Sequence, residues 1–85
     1  MKTQPLAALP LGRRGLITAL RLPEEKRRRL LELGFVPGAE VCPLQRSPGG
    51  DPVAYLICGA VIALREEDAA CIWVCPADSG EEGWL

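Results

Sequence analysis

The chain has 85 residues, 48% of them hydrophobic and 25% charged, with a formal net charge of −1. That composition belongs to one small globular domain, and it excludes a disordered chain and any global field that would draw the protein to nucleic acid or a membrane surface. Histidine is absent, which removes the commonest general base and the commonest metal ligand together and rules out a Ser-His-Asp set.

In chain order, residues 1–4 read as a flexible tail ahead of a domain over 5–75. Pro5 to Pro10 allows a single helical turn, with Leu6 and Leu9 on one side and Pro10 ending it. So short a turn is held only by packing, so Leu6 and Leu9 are expected to plug one end of the core. This apolar stretch is too short for a signal peptide, and no run approaches the roughly 20 residues that span a bilayer. A cytoplasmic protein without direct membrane insertion is expected.

Gly15–Leu22 reads as a strand, and its imperfect alternation calls for a bulge. Pro23 opens a helix where its missing N–H costs nothing. Glu24 and Glu25 complement the helix dipole and can pair with Arg28 and Arg29 at i,i+4. No Ser, Thr, Asp or Asn caps that start. The stop is better specified. Leu30 and Leu33 share a face, and Gly34 follows where a left-handed residue is needed. Phe35 can then fold back onto Leu30, and Pro37-Gly38 turns the chain away.

Ala39–Arg46 reads as the next strand, in which Pro43 demands an edge or bulge position. Ser47 to Pro52 is a concentrated turn signal. Val53–Cys58 and Ala60–Arg65 form a hairpin about Gly59, and their apolar continuity predicts little solvent contact. Residues 65–70 suit one helical turn leading to a last strand, Cys71–Cys75. Residues 76–85 read as an acidic flexible tail, in which Trp84 either dangles or tucks into an apolar groove.

These elements predict a mainly β fold: a small SH3-like, five-stranded, partly open barrel with one helix after the first strand and short helical turns. An OB-like barrel also has five strands but places its helix later. Cys42, Cys58, Cys71 and Cys75 contain no C-x-x-C pair, so they read as small, mostly buried free thiols rather than a zinc site. In one strand, Cys71 and Cys75 would stand about 13 Å apart, too far to share an ion.

The run Arg29-Leu30-Leu31-Glu32-Leu33-Gly34-Phe35-Val36-Pro37-Gly38 resembles the signature of the FeoA family. Leu6-x-x-Leu9-x-x-Gly12, Gly50-Asp51-Pro52-Val53-x-Tyr55 and Gly59-x-x-Ile62-Ala63-Leu64-Arg65, followed by Ala69 and Ile72-x-Val74, extend the likeness in order. Leu30, Leu33, Ile62 and Leu64 would serve the core, and Gly34, Gly38 and Gly59 the backbone geometry. The signature therefore identifies a fold more than a site. Cys42, Cys58 and Cys71 depart from the residues expected at their positions.

The resemblance implies a non-enzymatic accessory protein of bacterial ferrous iron uptake, acting by contact at the cytoplasmic side of a FeoB-type transporter. It also implies kinship with the C-terminal interaction module of iron-dependent repressors. Arg27 and Arg28 on the helix, with Pro48, Gly49, Gly50 and Asp51 in the loop, are the candidate partner surface. No metal site and no resident cofactor are expected, Fe²⁺ being at most a transient visitor. The alternative is a transition-metal-binding protein or regulator using thiolates with Glu32, Asp51 or Glu66 to Asp68. A phosphate-cradling G-x-x-x-x-G-K is absent. Four scattered aromatics make neither a base-stacking platform nor a proline-peptide groove, so no nucleic-acid partner is expected.

Overall fold

The computed structural model describes residues 2–77. Six antiparallel strands form one sheet in the order β1-β6-β2-β3-β4-β5: β1 Gln4–Pro5, β2 Gly15–Leu20, β3 Glu40–Arg46, β4 Val53–Ile57, β5 Ala60–Leu64 and β6 Ile72–Pro76. β1 and β5 stay unpaired to each other, so the barrel is partly open, as expected of an SH3-like fold. Helix α1 spans Glu24–Leu33 and α2 spans Glu66–Ala69, with a 3₁₀ turn at Leu6–Ala8.

The sixth strand corrects the expected five. Gln4, assigned to the tail, pairs with Val74, and Pro5 pairs with Trp73. At the other end Pro76 continues β6 opposite Gly15, and the Ala77 N–H bonds to the Arg14 carbonyl. Both terminal segments are ordered by backbone pairing that composition does not encode. Residues 78–85, and with them the two readings of Trp84, lie outside the described residues.

Inward residues of β2 to β6 meet in one core. Leu6, Ile17, Phe35, Val41, Ile57, Ile72 and Val74 are all fully buried or within 1% of it. Leu6 and Leu9 close one end as expected, because the 3₁₀ turn gains its stability only from that burial. The expected bulge in β2 falls between Ile17 and Ala19, and the Thr18 hydroxyl there donates to the Trp73 carbonyl at 3.2 Å. Pro43 is likewise accommodated by a register shift between Pro43 and Gln45. Its ring is buried, and its carbonyl accepts the Gly12 N–H at 2.8 Å. Burial raises the Tyr55 phenol above its ordinary value.

Four expectations are corrected. Leu33 is 40% exposed instead of part of the core, because β5 does not close over it. β5 itself is mostly exposed, with Val61 at 61%, because it is one of the sheet's two outer strands. Cys58 lies in the turn and is exposed, while Cys42, Cys71 and Cys75 are only half-buried, and Cys71 precedes β6. Pro23 sits at the N-cap, extended at φ −55° and ψ 151°, one residue before the helix proper.

Candidate functional site

α1 is locked at its C-terminus. Gly34 has φ 109°, the Gly34 N–H donates to the Leu31 carbonyl, and the Phe35 N–H reaches back to the Leu30 carbonyl at 2.9 Å. These two bonds satisfy orphan carbonyls of the last turn, and buried Phe35 and Leu30 supply the apolar contact that accompanies them. Pro37-Gly38 then turns the chain as expected, with the Gly38 N–H on the Ile17 carbonyl. The helix end also abuts the β4–β5 turn. A Cβ at Gly34 would stand 2.8 Å from the Cys58 sulfur.

Arg27 and Arg28 are exposed on the side of α1 turned from the core. Arg28 pairs with Glu24 at 3.4 Å, and both side chains are so exposed that the pair adds little stability. Glu25 and Arg29 form no ion pair among the described residues. Lys26, one residue before Arg27, does something the sequence did not reveal. Its ammonium donates to Asp68 Oδ1 at 3.0 Å, tying α1 to α2. That hydrogen bond and the carboxylate's charge raise the Lys26 pKa.

The loop after β3 is closed by its own bonds, Gly50 N–H to the Ser47 carbonyl at 2.7 Å and Ser47 N–H to the Pro52 carbonyl at 3.0 Å. Pro48 and Gly49 are exposed at its tip. Asp51 is not a free carboxylate. Its Oδ1 accepts the Glu66 N–H at 2.9 Å and so caps α2 from a distance of 15 residues. α2 has no cap from Arg65, the residue before it, so Asp51 meets a backbone donor that would otherwise lack a partner. α2 therefore lies between α1, which reaches it through Lys26, and the loop, which reaches it through Asp51; Arg27 and Arg28 take no part in those links. Its composition, three acids and an alanine, marks only a helix start.

The metal reading finds no donor set. Among the described residues no group of three or more His, Cys, Asp or Glu could hold an ion. Asp68 is committed to Lys26 and Asp51 to α2, while the Cys71 thiol leans on the Glu67 carbonyl at 3.6 Å. No helix among the described residues is long and apolar enough to cross a membrane.

Fold and site thus define a small barrel with a helix-and-loop surface and no gathered catalytic or metal-binding set among the described residues. The FeoA domain model matches residues 4–76, and the chain belongs to the FeoA family, which serves ferrous iron transport. A solution structure of FeoA from Chlorobium tepidum is 30% identical with a TM-score of 0.83, over 96% of this chain and 81% of that one. The Stenotrophomonas maltophilia FeoA, an SH3-domain protein crystallised with zinc, is 33% identical with a TM-score of 0.72, over 84% of this chain and 88% of that one. A fusion of Fe²⁺ transport protein A with the transporter FeoB from Porphyromonas gingivalis is 48% identical over 48 residues, 56% of this chain. That match spans 6% of the fusion protein's length.

Proposed function

We propose that this protein is a non-enzymatic, cytoplasmic accessory of ferrous iron uptake that works by direct contact with a FeoB-type transporter. The observation that carries the reading is the likeness to a protein in which FeoA and FeoB share one polypeptide. Fusion keeps two partners at high effective concentration, an arrangement that serves contact between them. The contact face is the outward side of α1 with Arg27 and Arg28, together with the loop tip at Pro48 and Gly49. The lock at Gly34 holds the helix at a fixed angle, and the Asp51 cap does the same for the loop. Gly50 and Asp51 shape that loop rather than touch the partner.

Contact through guanidinium groups makes association salt-sensitive, since exposed charges are screened over about 8 Å at physiological salt. The test is charge reversal, Arg27→Glu with Arg28→Glu, in a pull-down against the transporter's cytoplasmic domain and in Fe²⁺ uptake by cells. The folded variant should lose both. Wild-type binding and uptake would move the contact elsewhere, the half-buried Trp73 side of the barrel being next in line.

A metal-binding role has the zinc complex of the S. maltophilia relative in its favour and the scattered donors of this chain against it. Amide shifts on titration with Fe²⁺ or Zn²⁺ decide between the two.

A further inference from the structure

Among the described residues, β5 leaves one side of its backbone unpaired. The turn Cys58-Gly59 has positive φ at both residues, 50° and 80°, as a two-residue hairpin requires. In such a hairpin the flanking pair, Ile57 and Ala60, exchanges backbone bonds, and every second pair repeats the exchange. Ala60, Ile62 and Leu64 therefore bond to β4. The N–H and C=O of Val61 and Ala63 point away from the sheet, and neither residue bonds to a turn or loop.

Edges of this kind usually carry a lysine, a proline or a bulge, or are very short. β5 reads Ala-Val-Ile-Ala-Leu over five residues in unbroken register with β4. It has none of those protections.

Beside that edge runs a groove of about 260 Å³ between α1 and β5. Leu30 and Leu33 form one apolar wall, and Ile62 and Leu64 the other. Lys26, Arg29 and Arg65 stand on the rim together with one carboxylate, Asp68. Lys26 is held by Asp68, but Arg29 and Arg65 make no ion pair among the described residues. Among the described residues, an unpaired strand edge, an apolar groove and two guanidinium groups without an ion pair coincide.

We propose that β5 accepts an extended acidic segment of a partner polypeptide as an added strand. Its backbone pairs with Val61 and Ala63, its alternate apolar side chains enter the groove, and its carboxylates meet Arg29 and Arg65. In strand addition the main-chain bonds supply affinity and the pockets for alternate side chains supply selectivity. Guanidinium groups suit the carboxylates because they pair with them through two parallel bonds. This surface is separate from the one bearing Arg27 and Arg28. Lys26, Arg29, Leu30 and Leu33 follow helical spacing on the groove side, and Arg28 lies on the opposite side of α1.

The probe is a short capped peptide of alternating glutamate and valine, titrated into the isotopically labelled full chain. Saturable amide shifts should centre on Val61 and Ala63, and a lysine–valine peptide should leave them unmoved. Arg29→Glu with Arg65→Glu should weaken the acidic peptide at least about tenfold, the size expected for lost charge-assisted hydrogen bonds. Val61→Pro removes an outward N–H without removing a bond to β4, a place where edge strands tolerate proline, and should also abolish binding. If Val61→Pro does not fold, the arginine variant still decides. Equal binding of both peptides, shifts centred away from β5, or unchanged binding by the folded variants overturns the proposal. So does a concentration-dependent shift of Val61 and Ala63 without peptide, which would give the edge to a second copy of the chain.

Discussion

At one edge of the sheet β1 is two residues long and ends in Pro5. At the other, β5 runs five residues without proline, charge or bulge. The β1 edge is backed by Leu6 and Leu9, buried to 0% and 3%, so pairing there seals the core. The β5 edge covers little. Val61 is 61% exposed, and the groove behind it leaves Leu33 partly in solvent. One edge is spent on stability. The other holds backbone donors and acceptors that no described residue uses, the resource a binding protein needs.

The comparison breaks first at the closed edge. Leu6→Ala should cost about 2–5 kcal/mol, as large-to-small changes in tight cores do. A domain of this size has few kcal/mol to lose, so urea denaturation should find the variant largely unfolded. A loss below about 1 kcal/mol would mean that the end is held by β1 pairing alone, within the range of ordinary hydrogen bonds.

Gly34→Ala probes the lock between the two regions. The left-handed backbone alone costs an alanine about 1–2 kcal/mol, and contact with the Cys58 sulfur adds to that. In a Cys58→Ala background the sulfur clash should disappear, while the 3.3 Å approach to the residue-58 Cβ and the backbone part remain. A double-mutant cycle on the urea midpoints reads the difference. Simple additivity would show that the turn moves aside freely.

Asp51→Ala removes the cap on α2 and should cost about 1 kcal/mol, with Asp51→Asn smaller because an acceptor oxygen remains. Amide exchange at Glu66 should accelerate in both. Unchanged protection would return Asp51 to the role of a free surface carboxylate.

The smallest effect belongs to the open edge. Val61→Lys should change stability by less than about 0.5 kcal/mol, as exposed substitutions do. The contrast with Leu6→Ala then measures directly how unequal the two edges are. A large loss would show that β5 carries more of the fold than its exposure indicates.

Much of this was legible in local sequence because its cause is local. Leu33-Gly34-Phe35 specifies the helix stop through backbone sterics, Pro43 announces its bulge by lacking a donor, and Gly59 announces the hairpin. Leu6 and Leu9 could be placed in the core because nothing else would hold so short a turn. The candidate site was read less well. Arg27 and Arg28 are exposed as supposed, but Lys26 and Asp51 bind α2, and both partners are distant in the chain. An apolar run also looks the same in a central strand and an outer one, so the exposure of β5 is not legible in its sequence.

Propensity, turn stereochemistry and composition act residue by residue, and they set the class of fold, the one locked helix and the absence of any histidine-based chemistry. Closure of the chain sets which strands lie at the edges, adds Gln4 and Pro5 as a sixth strand, and brings a loop carboxylate to cap a helix 15 residues away. Those outcomes depend on which backbone groups find partners once the chain has closed on itself, and that pairing is a property of the whole molecule rather than of any segment.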